Sequence, residues 1–600
     1  MANRHENKPI VQVVPDLPTF AVDDGFAYRL PESLASEVQV GSMVRVPLSG
    51  RRVRGYVVAM REGDARGLKD VVSVSGELPV FTPKLLETLR WCALHYVAPL
   101  AVLLRRAAPA GIPRDTSGDP PPPMGEVPAG PAPRLSEASA SGRHVRPQYL
   151  LAPGGWEELA VATAAPVLAA GRSAMVVSPT AAEAEAVAAV ARRMVGERPL
   201  LGLSEHPDRE QTAAWVRAHL TPGSLVVGTR GVALWPVAGL ALVIVLDEGR
   251  RGMKEKQTPT VHVREVIRRR AVVERFNLLF VGRVPTIELL ATGVEVVRLP
   301  GRTWPLVEVV DRRDDPPGSG LISDRARMAL HLGVNKGGRA FVFTHRRGYA
   351  PAFRCAACRT LRRCPACGAR PERGDACPRC GGSLGPCAAC GSGRFEPLGA
   401  GVGRVTEELR RVLGRDRVGE VASGAPVMVG TERDLVAVPP VRLAVAVDAD
   451  GLLLAPNYRA GEEGLRLLAR LVGTVEAGRG RRSIVQTAQP EHPVMAALRR
   501  GDPLPYLHEE LEGRAALGFP PAGQLIVLEV GEPPPDADAR LRKAVGTRGS
   551  VLGPAERRGR TRWLIQGSSL EGARGALRPL VQHLRESGAR VHVDVDPLDL

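Results

Sequence analysis

The chain has 600 residues, 81 basic against 64 acidic, for a formal net charge of +17 at pH 7, and 44% of it is hydrophobic. Six hundred residues exceed what one core organises, so three or four domains are expected. No apolar run is long enough to cross a bilayer and no signal peptide opens the chain, which excludes a membrane protein and a secreted disulfide framework and places the protein in the cytoplasm. Arginine supplies 74 of the basic residues and lysine 7. That ratio is compositional bias, but the excess of base over acid is not, and it favours a polyanionic partner, nucleic acid above all.

Residues 1–106 read as a first unit. Alternating apolar strands at Ile10–Val14 and Val38–Pro47, the latter carrying Arg45, precede a basic hairpin at Arg51, Arg52 and Arg54. Short strands punctuated by glycine predict a small β-barrel, and a helix over Pro83–Tyr96 packs on it. Cys92 on that helix reads as core. Residues 107–147 are rich in Pro, Gly, Ala and Ser and read as a linker.

From Gln148 strands alternate with helices: strands at Ala174–Ser178, Ser224–Val227, Leu242–Leu246 and Leu278–Val281, helices near Glu157–Ala169, Ala181–Met194 and Val261–Phe276. Such alternation predicts a parallel sheet covered on both faces. This first lobe spans 148–303. A second, with strands at Val427–Gly430 and Leu443–Val447 and a helix over Arg459–Glu476, spans 304–353 and 393–492. The interruption, 354–392, holds eight of the nine cysteines as four CxxC hooks: Cys355/Cys358, Cys364/Cys367, Cys377/Cys380 and Cys387/Cys390. Each hook brings two thiolates to one ion, so four hooks supply two closed tetrahedral Zn²⁺ sites, structural because no position stays open for water. Disulfides and an iron–sulfur cluster are the competing chemistries, and the hooks admit three pairings. Residues 493–600 read as an α+β domain: helices over Pro493–Gly518, then strand, helix, strand, strand, helix, strand, a ferredoxin-like order.

A strand, the text THRRGYAP and then four CxxC hooks in the second lobe of a helicase-like core resemble the primosomal replication-restart protein N′ (PriA) family. DGFAYRLPE…VGSMVRVPLSGRRVRGYVV near the start and ELEGRAALGFPP near residue 510 resemble it too. The resemblance implies a multidomain α/β fold: a 3′-DNA-end-binding β-barrel, two RecA-like helicase lobes with a double zinc-binding insertion, and an α+β C-terminal domain. It implies that the first and last hooks share one zinc and the middle two the other. In the family an aromatic, a carboxylate and a lysine of the barrel bind a DNA 3′ terminus. Phe26 and Lys69 align with the first and last, but Ala27 stands at the carboxylate position. Phe26 and Tyr28 either stack bases or belong to the barrel core. The family's winged helix, which follows the barrel, does not fit in a 40-residue linker of this composition.

The helicase motifs depart from the family. Where a P-loop would place Lys and Ser/Thr to hold phosphates, LLAPGGWEELAV places Trp156 and Glu157. The DEEH box becomes DEGR, leaving Asp247 and Glu248, which read as N-terminal acids of the following turn. Thr474 and Glu476 stand near the expected arginine fingers, with Arg479 nearby, and GTERDLVAVPP replaces GTQMLAKGHDF. ATP binding in the usual mode is therefore not expected. Lys254, Lys256, Arg264 and Arg268–Arg270 form a basic patch after the DEGR turn that either meets phosphates or is a solvated face. The resulting expectation is a replication-restart protein, without ATPase activity of its own, that binds branched or single-stranded DNA through Phe26, Tyr28, Arg45, Arg52, Lys69, Lys254, Lys256 and Arg268. By the resemblance it meets primosome proteins, the replicative helicase and single-stranded-DNA-binding protein, and no membrane. The alternatives are an active 3′-to-5′ helicase with divergent motifs and a zinc-ribbon adaptor that contacts only proteins.

Overall fold

The computed structural model describes the chain except residues 1–7, 110, 112–121, 123, 125–129, 314, 317–318, 336, 346–351, 359, 369–374, 378–379, 399–400, 477, 479 and 558. The chain divides into two compact units: residues Met1–Leu299 with Leu511–Leu600, and residues Pro300–Glu510.

The first unit begins with β1 (Lys8–Pro15), β2 (Phe26–Arg29), β3 (Met43–Leu48), β4 (Arg51–Gly63) and β5 (Ser73–Val74), in the order β2-β1-β4-β3-β5. Arg29 closes the barrel: its N–H donates to Lys69 O and its carbonyl accepts from Val71 N. Valines at alternate positions fill the interior, Val11, Val13, Val44, Val46 and Val57 among them. Helix α1 (Pro83–His95) is capped by Thr82 Oγ1, which accepts from Leu85 N at 3.1 Å, and α2 (Leu100–Ala107) follows.

The expected linker is not wholly a linker. Within it lies α3 (Pro133–Ala140), which seats Leu135 in the core of the next domain; Ser136 Oγ donates to Thr163 O at 2.9 Å. Then come β6 (Gln148–Leu151), α4 (Trp156–Ala169), β7 (Ser173–Val177), α5 (Ala181–Val195), β8 (Pro199–Gly202), α6 (Asp208–Leu220), β9 (Leu225–Gly228), β10 (Leu240–Leu246), α7 (Val263–Glu274), β11 (Asn277–Gly282), α8 (Ile287–Leu290) and β12 (Glu295–Arg298). The seven strands pair in parallel in the order β12-β6-β11-β10-β7-β9-β8. Strands buried on both faces carry apolar runs, and the side chains divide by period two: Ala174, Val176, Leu242 and Ile244 pack toward α4 and α5, while Met175, Val177, Val243 and Val245 pack on the other face.

The second unit holds β13 (Val307–Asp311), α9 (Asp324–Asn335), β14 (Ala340–Phe343), β15 (Ala352–Cys355), β16 (Phe395–Leu398), α10 (Val402–Leu413), β17 (Val418–Gly419), β18 (Val427–Gly430), β19 (Leu443–Ala446), α11 (Asp450–Leu453), α12 (Ala460–Val472), β20 (Arg482–Thr487) and α13 (Pro493–Arg500). Its main sheet is parallel, β13-β20-β19-β14-β18-β17, and β15 pairs with β16 alone at the base of the cysteine module. The helical stretch expected over Pro493–Gly518 is two helices, because Gly501 turns left-handed (φ 74) after α13 and the chain restarts as α14 (Leu504–Ala516). Helix α13 packs on α12 and β13, so residues from 493 to Glu510 group with the second lobe and not with the C-terminal domain.

The C-terminal part of the first unit is β21 (Gln524–Gly531), α15 (Ala537–Val545), β22 (Ser550–Arg557), β23 (Arg560–Gly567), α16 (Glu571–Glu586) and β24 (Arg590–Val595). Its antiparallel order β22-β23-β21-β24 is the ferredoxin-like arrangement the sequence predicts. One continuous core runs from α1 (Leu89, Cys92, Tyr96) through the first lobe's sheet (Val243, Val245) to the C-terminal domain (Ile526, Trp563, Leu577). Three domains of distinct pattern are thereby fused by burial.

Candidate metal centres and nucleic-acid interface

The four hooks converge on two points. Cys355, Cys358, Cys387 and Cys390 form one cluster and Cys364, Cys367, Cys377 and Cys380 the other; in each, all four Sγ atoms lie within 4.8 Å of one another. Of the three possible pairings, this is the one the family resemblance implied. Local backbone geometry makes the hooks: the N–H of Gly368, Gly381 and Gly391 donates to the carbonyl of Cys364, Cys377 and Cys387 at 2.8–2.9 Å, and each glycine has φ near +70°. A left-handed residue just after the second cysteine folds the turn back toward both thiols, a conformation glycine adopts without steric cost. Arg362 ties the module together, donating to Leu384 O at 3.1 Å and lying 4.4 Å over the Phe395 ring.

The sulfur spacings test the chemistry. Cys355–Cys390, Cys358–Cys387, Cys364–Cys380 and Cys367–Cys377 stand 3.4, 3.6, 3.6 and 3.7 Å apart. A disulfide requires about 2.05 Å, whereas four thiolates at about 2.3 Å from a tetrahedral Zn²⁺ lie roughly 3.8 Å apart. The residues present therefore fit two closed four-thiolate metal sites.

At the position of the degenerate P-loop, Gly155 adopts a left-handed conformation (φ 64) as an N-cap without a side-chain bond, and α4 starts at Trp156. The indole Nε1 donates to Ala152 O at 3.3 Å, and the Arg283 guanidinium lies over its ring at 4.8 Å. Glu157 and Glu158 occupy the first turn of α4. The helix N-terminus that would receive a phosphate is thus covered by a cation–π pair and flanked by two carboxylates.

Glu248 is not a turn acid. It is 1% exposed; Oε1 accepts from Thr286 N at 2.8 Å and Oε2 from Arg264 Nη1 at 3.1 Å. Arg264 also donates to Glu265 (2.7 Å) and Thr286 Oγ1 (2.9 Å), with Glu288 at 3.9 Å. Burial works against the Arg264 charge, but Glu265, Glu248 and Glu288 outweigh it and raise its pKa. Asp247, 2% exposed with φ 46, ends β10, and Arg250 pairs with Glu183 at 2.5 Å. Thr474 Oγ1 donates to Leu471 O, and Glu476 pairs with Arg481, so neither side chain stands as a free cation; Arg479 lies outside the described residues.

Among the expected DNA contacts, the structure separates surface from core. Phe26 is 40% exposed on edge strand β2, and Arg45, Arg52 and Lys69 are exposed. Arg45 pairs directly across from Arg54, beside exposed Arg51 and Arg52, and among the described residues no carboxylate lies in ion-pair range of these four. Like charges set opposite each other destabilise a strand pair unless an anion screens them. Tyr28, by contrast, is 3% exposed, its hydroxyl donating to Pro47 O, and belongs to the barrel core.

The basic patch after the DEGR turn is largely spent internally. Lys254 Nζ is buried, paired with Asp594 at 2.6 Å and donating to the carbonyls of Val595 and Asp596. Lys254 is therefore a joint to the C-terminal domain and not a DNA contact. Arg270 is fully buried on Glu274 and Ala233 O. Lys256 stays exposed, and Arg268 pairs with Glu265 at 3.3 Å on the rim of a cavity of about 360 Å³ that Trp91, Val272 and Phe276 also line. Reading the sequence alone missed Arg283 and the partner acids of Lys254, because neither has a local signal.

Residues 12–109 match the family model described as the 3′DNA-binding domain (3′BD) of PriA, and residues 515–598 match the model of the primosomal protein N C-terminal domain. The probable replication restart protein PriA of Mycobacterium leprae is 27% identical over 85% of this chain and 86% of its own length. The replication restart protein PriA of Treponema pallidum is 24% identical over 99% of this chain and 100% of its own. A solved structure of RecG bound to a three-way DNA junction covers 85% of this chain and 75% of that one at 11% identity, with a TM-score of 0.37.

Proposed function

Because the chain belongs to the PriA family of replication restart proteins, we propose that it binds branched or single-stranded DNA at abandoned replication forks and helps reload the replicative helicase without hydrolysing ATP itself. The observation that carries the DNA-binding part is the β-barrel surface: an exposed Phe26 at its edge and four exposed arginines with no acidic partner among the described residues. Arg45, Arg51, Arg52 and Arg54 meet phosphates, which fixes position without reading sequence, and Phe26 stacks on a base, with Lys69 nearby on the closing segment. Ala27 offers no acceptor for a 3′-hydroxyl, so the barrel binds strands without strong end selectivity.

Zinc is the metal we assign to both thiolate clusters: it accepts four sulfur ligands, has no redox chemistry and stiffens the module as a structural ion. In the first lobe, Trp156 and Arg283 fill the site a nucleotide's phosphates would take, and Glu248 is committed to Arg264, so the lobe serves as a rigid DNA-binding body. Primosome proteins, the replicative helicase and single-stranded-DNA-binding protein are the partners we expect to dock on it in the cytoplasm. No helix among the described residues is long and apolar enough to cross a membrane.

The test is binding of the purified protein to forked and plain duplex DNA at moderate salt, with phosphate release measured in the same samples. Fork preference without phosphate release supports the proposal. DNA-stimulated release means an active helicase, and equal weak binding to both DNAs means a protein-only adaptor.

A further inference from the structure

A second cavity, of about 190 Å³, lies between α2 of the barrel domain and the first lobe. Its walls are apolar: Ala233, Leu234, Val261, Val263 and Val266. Two guanidinium groups reach it, and they are not equivalent. Arg230 is paired with Glu255 at 2.6 Å, and its side chain is 42% exposed. Arg106 is half-buried, and its one hydrogen bond among the described residues is a long one, Nη1 to Pro259 O at 3.4 Å. The only acid at hand, Glu255, is taken by Arg230. The C-terminal turn of α2, where Arg106 sits, offsets part of the cost of burying its charge. Even so, burial lowers its pKa, with Glu255 opposing that shift and Arg230 adding to it.

A guanidinium that faces a cavity with most of its donors unused, against a wall of valines, is a half-built recognition site. The missing half is an anion, because an uncompensated buried charge is costly and a bidentate oxyanion is the geometry a guanidinium satisfies best. The apolar wall excludes a fully hydrated phosphate and rewards a hydrocarbon body. At about 30 Å³ per water the cavity holds roughly six waters' volume, which is the size of a side chain and well below that of a nucleotide. We propose that this cavity binds a single carboxylate borne on a small apolar body, the carboxylate on Arg106 and the body against Val261, Val263 and Val266. Two sources carry that chemistry: a free small carboxylic acid, or the C-terminal carboxylate of a partner chain ending in an apolar residue.

The probes are hexanoate, its neutral counterpart hexanamide, inorganic phosphate, and short peptides ending in an apolar residue with a free or an amidated C-terminus, titrated calorimetrically into the full chain. Hexanoate is expected to bind roughly ten- to hundred-fold more tightly than hexanamide, the ratio of a charge-assisted hydrogen-bond pair. Arg106→Gln removes the anion partner. Gly231→Phe fills the cavity and keeps Arg106; a Cβ at Gly231 meets nothing within 4 Å and its φ is not positive, so this second variant folds even if the first does not. Loss of hexanoate binding in the variants that fold supports the proposal. Tighter binding of the free-acid peptide than of hexanoate then assigns the site to a partner chain, and the reverse order assigns it to a free acid. Equal binding of hexanoate and hexanamide, tighter binding of phosphate, no heat from any probe, or binding that survives Gly231→Phe overturns it.

Discussion

Replacing Glu248 by alanine separates a structural acid from a catalytic one. In a working ATPase the acids that end this strand face nucleotide and metal, and their loss stops hydrolysis while the fold survives. Here Glu248 is 1% exposed and holds Arg264, whose side chain is 6% exposed. Removing one member of a buried ion pair costs about 3–5 kcal/mol, because the other charge stays behind. Arg264 keeps Glu265 at 2.7 Å and Glu288 at 3.9 Å, which moves the cost to the lower end. Thr286 N–H, however, loses a 2.8 Å acceptor in a buried place, which adds about 1–3 kcal/mol. A total of about 3–5 kcal/mol lowers the melting temperature by roughly 6–20 °C if the lobe melts as a unit of 150–250 residues. Glu248→Gln, which keeps the Thr286 acceptor but not the charge, should fall between wild type and alanine. Differential scanning fluorimetry with urea titration reads both. A Glu248→Ala protein that melts within about 1 °C of wild type would refute the structural assignment and return Glu248 to the nucleotide site.

Three further outcomes are expected. Asp23 accepts from Leu100 N at 2.8 Å and pairs with Arg578, yet burial raises its pKa to about 6, with the Leu100 N–H and Arg578 opposing. A raised folded pKa means stability that is present at low pH and lost as pH rises through about 6, so wild type should lose roughly 3 kcal/mol relative to Asp23→Asn between pH 4 and pH 7 in urea titrations; a pH-independent difference would count against it. Metal analysis should find two zinc ions per chain, and Cys387→Ser should leave one, since it opens only the cluster shared with Cys355, Cys358 and Cys390. Arg45→Ala and Arg54→Ala should each flatten the salt dependence of DNA binding by about 0.7–0.9 in log–log slope, read by fluorescence anisotropy across a salt series.

What the sequence made legible was what local chemistry dictates. Apolar runs such as Leu242–Leu246 can only be strands buried on both faces, and CxxC spacing with glycine behind it can only serve a soft metal or a disulfide. Helix α3 escaped notice because PRLSEASA has the composition of a linker; it is held by Leu135 and by serine hydroxyls that find partners on Thr163 and Asn277, neither of which a local pattern reveals. The cysteine pairing needed three dimensions or a relative. Lys254 was misread for a related reason: its carboxylate partner, Asp594, lies 340 positions further along the chain, and a cation without its distant partner looks like a surface charge. Tyr28 shows the limit of an aromatic signal on a short strand, where neighbouring positions differ in burial by a single turn of the pleat.

The first unit is discontinuous, and that carries a consequence in time. Roughly two hundred residues, Pro300–Glu510, are synthesised between its two parts. At about 5–20 residues per second the ribosome takes some 10–40 s over them. Through that interval Lys254 has no Asp594, and Thr258 and Thr260, whose hydroxyls later accept from Val593 N and Val595 N on the edge of β24, have no strand to meet. The nascent barrel and first lobe thus wait with an open seam and an unpaired buried cation, and the last ninety residues to emerge act as the clasp that turns a provisional assembly into a finished one.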